Sequence, residues 1–95
     1  MIHRSIFETD NTLGAAYGSA VFTATIEAGG MVTQWQLESI ITDLLTANGW
    51  GVRSVSAVSA GTFSAFWNVT ITLIALCGQS VQTMVNGIAG SLAPR

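Results

Sequence analysis

The stretch TFSAFWNVTITLIALCG, Thr62 to Gly78, decides the fold, because its 17 residues carry no charge and approach the length a helix needs to span a bilayer. Its polar residues argue against such a helix. Ser64, Asn68, Thr70 and Thr72 fall on even positions, while Phe63, Ala65, Trp67, Val69, Ile71, Leu73 and Ala75 fall on odd ones. Phe66 breaks the alternation, and the end of the run is apolar on both sides. A period of two over this length, with many β-branched residues, predicts a strand from Phe63 to Leu76.

Working outward, Val52 to Ser59 reads as a second strand, joined to the first at Ala60-Gly61. Before it lies a helical pattern. Thr33 is a good N-cap, Gln36 completes a capping box, and Val32 and Leu37 are spaced for a hydrophobic staple. Leu37, Ile40, Ile41, Leu44 and Leu45 recur at helical spacing, with Gln34, Glu38, Thr42 and Thr46 on the opposite, solvent-facing side. Asn48-Gly49 supplies a left-handed stop. Further upstream Ala20 to Glu27 alternates as a strand and ends at Gly29-Gly30. Thr9 to Gly18, with Asp10, Asn11, Gly14 and Gly18, reads as a loop, and Ile2 to Phe7 as a short strand. Downstream, Gly78 breaks the run. Val81, Met84, Val85, Ile88 and Leu92 then form the stripe of a second helix that Pro94 ends.

The order (β)-β-α-β-β-α predicts one α+β domain over residues 1–95, with two helices on one face of a small antiparallel sheet. A split β-α-β, ferredoxin-like layout is expected, with Ile2–Phe7 at the edge a closing strand would fill. A chain of 95 residues buries only about 60–65% of its unfolded surface, so its core is modest.

Charge is the unusual property. Charged residues make up 8% of the chain, against roughly 25% in an ordinary soluble domain. They are Arg4, Glu8, Asp10, Glu27, Glu38, Asp43, Arg53 and Arg95, so the 41 residues from Ser54 to Pro94 carry none. There is no lysine. The surface must rely on Ser, Thr, Asn and Gln, which cost less to bury than ions. A net charge of −2 with three scattered arginines argues against nucleic acid as a partner.

The chain offers little chemistry. His3, the one histidine, sits beside a terminus, with Glu8 and Asp10 near only in sequence. No Gly-x-Ser-x-Gly elbow occurs. One histidine, one cysteine and five dispersed carboxylates give no metal-ligand spacing. Cys77 reads as a small buried hydrophobe. Ala28-Gly29-Gly30 leads towards the first helix but reads as a turn, not an anion site. Asn68-Val69-Thr70 matches a glycosylation acceptor, inside a strand and so discounted. No catalytic, cofactor or metal residue is assigned, and no enzyme is expected.

The expectation is a non-enzymatic structural subunit of a larger assembly, a small virion protein above all, with other protein subunits as partners. Candidate interface residues are Phe66 and Thr70 on the long strand, and Asn86, Gly87, Gly90 and Ser91 on the last helix. Gly87 and Ser91 have the four-residue spacing that lets helices approach closely in an assembly or in lipid. One alternative is a small regulatory or ligand-binding module that uses the open sheet face, with Trp35, Trp50 and Trp67 as walls. Another is a minor membrane-associated protein.

Overall fold

Alternating strands and two capped helices assemble into a four-strand antiparallel path, β1-β3-β5-β4, in the computed structural model. The structure describes residues 2–8, 12–13, 19–29, 31–62, 64–74 and 80–93. The elements are β1 (Ile2–Phe7), β2 (Thr12–Leu13), β3 (Ser19–Ala28), α1 (Gln34–Ala47), β4 (Val52–Ser59), β5 (Phe66–Ile74) and α2 (Val81–Leu92). β2 lies within the segment expected as a loop. It pairs with Val21 and Ala20 of β3, while β1 pairs with the other end of β3, so both line the same edge. The long strand is a strand as expected, though shorter. Ser64 and Ala65 precede it, and Phe63, Ala75 and Leu76 lie outside the described residues.

β5 lies between β3 and β4 and pairs antiparallel with both. The strand on the far side of β3 is β1, from before the first helix, whereas a β-α-β-β-α-β sheet is closed by a strand after the second helix. Both helices cover one face. Phe22, Ile26, Ile71 and Leu73 from the sheet meet Leu37, Ile41 and Leu45 of α1 and Met84, Ile88 and Leu92 of α2 in one buried cluster. Each such side chain contributes about 1.5–3 kcal/mol relative to exposure, so this layer carries the fold.

Each edge strand contains a bulge that changes which face its residues occupy. The register slips between Ile2 and Arg4 in β1, and between Val52 and Ser54 in β4. With strict alternation Ile2 would share a face with Arg4 and Ile6, and Val52 with Ser54 and Ser56. The extra residue, His3 or Arg53, restores Ile2 and Val52 to the core side.

Local chemistry fixes the helix ends. The Thr33 hydroxyl accepts from the Gln36 N–H at 3.2 Å, and Gln36 Oε1 accepts from the Thr33 N–H at 2.9 Å, which is the expected capping box. At the other end, Asn48 Nδ2 donates to the Leu44 carbonyl, and Gly49 takes a φ of 89°. Ser80 caps α2, its hydroxyl accepting from the Thr83 N–H.

Glu38 requires a correction. It is half-buried, not on a free solvent face, and its Oε2 accepts from the Ala57 N–H of β4 at 2.8 Å. Ala60 donates to the Phe66 carbonyl, so the even-numbered amides of β4 face β5 and the odd ones point outward. Glu38 therefore satisfies an edge amide that no strand pairs.

Candidate functional site

The face of the sheet away from the helices is open, and the strand register sets its composition. One row across the four strands reads Ile6, Thr25, Asn68, Val58. The next is Thr23, Thr70, Ser56, followed by Val21, Thr72, Ser54. Its centre is thus hydroxyls and one amide, flanked by exposed Ile6, Val21, Val58 and Ile74. Val58 and Ile6 are the most open of these, at 59% and 52%.

Charge enters this face along its β1 side, at Glu8 opposite Thr23 and at a corner formed by Arg4 and Glu27. Arg4 Nε lies 3.5 Å from Glu27 Oε1, and the guanidinium stands 5.7 Å from the centre of the Phe66 ring. Phe66 faces the same side as Thr70, as expected. It lies at that corner, half-covered by Arg4, and not at the middle of the face.

The four helix candidates separate. Asn86 and Gly90 are exposed on α2, within the helical layer on the other side of the sheet, and Asn86 Oδ1 accepts from Gln82 Nε2. Gly87 and Ser91 face inward. A Cβ at Gly87 would come within 2.7 Å of Trp50 Cζ2. The Trp50 indole N–H donates to the Ser91 hydroxyl at 3.2 Å, and that hydroxyl donates to the Gly87 carbonyl at 2.9 Å. The close-approach spacing of Gly87 and Ser91 is used within the chain, against Trp50.

His3 is exposed on the β1 bulge, against the backbone of Gly29. Glu8 lies five extended residues away, roughly 16 Å, so the strand holds them apart. Asp10 and Cys77 lie outside the described residues. Among the described residues no three of His, Cys, Asp and Glu come together as a metal site, and no helix is long and apolar enough to cross a membrane.

A second surface was foreseen only in part: Trp35 and Trp67 line clefts, as expected of them, whereas Trp50 packs against Gly87 and Ser91. Met31 is 99% exposed and Trp35 75% exposed, where β3 turns into α1. With Val32, Gln36, Ser39 and Ile40 they line an open cleft of about 610 Å³. A neighbouring cleft of about 550 Å³ reaches Thr33, Ser64 and Trp67. Trp35 sits two residues, roughly 200° round the helix, from Leu37. That offset from the apolar stripe was the available signal. Both clefts lie at this junction, not on the open sheet face where the ligand-binding alternative would place its site.

Compared with protein-family models, with curated proteins and with solved structures, the chain matches none.

Proposed function

We propose that this chain is a non-enzymatic structural subunit that docks onto other protein subunits through the open face of its sheet. The observation that carries the reading is the composition of that face. Across four strands it presents hydroxyls, one amide and exposed Ile6, Val21, Val58 and Ile74, with few charges, Arg4 and Glu27 paired at one corner and Glu8 beside Thr23 at the β1 edge. An ion is costly to desolvate, whereas a hydroxyl can exchange water for a partner's hydrogen bond at small net cost. An open antiparallel face of this kind suits packing against a second sheet about 10 Å away. A virion is the kind of assembly this reading favours, since a short chain with 8% charged residues depends on contacts more than on free solubility.

The topology supports a finer reading of the fold as a split β-α-β unit, β3-α1-β4 with β5 inserted. In this ferredoxin-like layout β1 takes the position of the closing strand. One consequence favours docking: the sheet keeps a full fourth strand, and the open face is correspondingly wide.

The test is Thr70→Glu, placed at the middle of that face, with the complex isolated through a tagged chain from its native host. The expected result is a folded variant, by circular dichroism, that stays in the low-mass fraction while the parent enters a high-mass complex. Equal incorporation of parent and variant would refute the docking role of this face.

A further inference from the structure

We infer that the patch carrying Met31 and Trp35 is a two-fold contact between two copies of this chain, in which the Trp35 indole of each copy enters the cleft beside Val32 and Ile40 of the other. This contact is separate from the open sheet face and does not rest on the function proposed for it.

Three observations point to a second copy as the occupant. The first is shape. The exposed Trp35 indole forms one wall of an open, largely apolar cleft of about 610 Å³, so protrusion and cleft share one patch. A two-fold contact uses such an arrangement twice, because whatever residue i of one copy meets, its symmetry mate must also meet. The second is charge. Gly29, Met31, Val32, Trp35, Gln36, Ser39 and Ile40 include no titratable side chain. A chain of net charge −2 meets an equally negative copy, so a self-contact is favoured where charge is absent. The nearest helix carboxylates lie off the patch: Glu38 is turned to the Ala57 amide, and Asp43 stands one turn beyond Ser39.

The third is area. A large aromatic buries about 150–250 Å², so Trp35 with Met31 supplies a substantial share of the ~800 Å² per partner of a stable contact. Trp and Met are also among the residues enriched where interfaces concentrate their energy. The rim provides what the indole N–H needs. The Ser39 hydroxyl and the Gln36 amide line the cleft and can accept from it.

The contact has a structural consequence for assembly. A subunit that docks once by its sheet and once by a two-fold patch on another part of its surface links neighbours in two directions. A single interface cannot do this.

Sedimentation velocity on the purified chain, over a wide concentration range, tests the inference. The parent is expected to form a reversible dimer whose dissociation constant changes less than about twofold between low and high salt, because no ion pair crosses the contact. Trp35→Lys, at an exposed position, should fold normally and weaken the dimer at least tenfold, while Thr70→Glu should leave it intact. A parent that stays monomeric overturns the inference, and so does a Trp35→Lys variant that dimerises like the parent. A dimer dissociated by Thr70→Glu instead would assign the self-contact to the sheet face. A monomeric parent that co-sediments with phosphatidylcholine vesicles through Trp35 would assign the patch to a lipid surface, which equally overturns it.

Discussion

Glu38 shows how one side chain can protect a sheet edge. Its carboxylate leaves α1 to accept from the outward amide of Ala57, at 2.8 Å, on an edge strand that has no lysine or proline to block pairing. Removing it leaves a partly buried donor to find water. Glu38→Ala is therefore expected to cost about 1–2 kcal/mol in urea denaturation, near the lower end of the range for an orphaned buried group. Asp43→Ala, on an exposed position of the same helix, should cost less than about 0.5 kcal/mol. Equal values for the two variants would show that the Ala57 contact contributes nothing. Gly87 and Gly90 give a second comparison on α2. Alanine gains up to about 1 kcal/mol of helix propensity over glycine. At Gly90 nothing lies within 4 Å of the added carbon, so Gly90→Ala should stabilise the domain by about 0.5–1 kcal/mol. At Gly87 the Trp50 ring is in the way, and overpacking of roughly 1–3 kcal/mol outweighs the gain. A Gly87→Ala melting temperature above that of the parent would count against this packing.

At the scale of elements, what the sequence made legible was whatever depends on residues close together in the chain. The capping box at Thr33, the stop at Asn48-Gly49 and the alternation through Val69, Ile71 and Leu73 are local, and the structure has each of them. Features set by distant partners were not legible. Thr12–Leu13 becomes a strand only because β3 offers an edge, and two residues carry no periodicity. The faces of β1 and β4 depend on bulges at His3 and Arg53, which simple alternation cannot register. Gly87 and Ser91 looked available to a partner because Trp50, 41 residues before Ser91, was not visibly their neighbour. The stripe of α1 was legible in direction but not in depth: Ile41 is fully buried, whereas Leu44 is half-buried. Ile41→Ala should cost about 2–4 kcal/mol, and Leu44→Ala measurably less. Chemical denaturation of both variants decides this, and a larger loss at Leu44 would mean the helix is rotated.

For the whole molecule, the decisive question is which layer meets the neighbours. The sheet places Thr70 on its open side, and the helices place Asn86 on theirs, so the two candidate positions face apart. A charge at Thr70 would stand amid Thr23 and Ser56, with apolar Ile6, Val21 and Val58 around them, and no basic residue in either neighbouring row. Buried in a contact, it would be an ion without a partner, costing several kcal/mol and weakening a typical complex by orders of magnitude. A lysine at Asn86 would replace an exposed amide whose present bond is to Gln82, one turn away. There the ammonium can extend into water at almost no cost. Asn86→Lys is thus expected to enter the assembly like the parent while Thr70→Glu is excluded, as read by the mass of the isolated complex. The reverse pattern, with Thr70→Glu incorporated and Asn86→Lys excluded, would move the docking surface to the helical layer and leave the open sheet face in solvent.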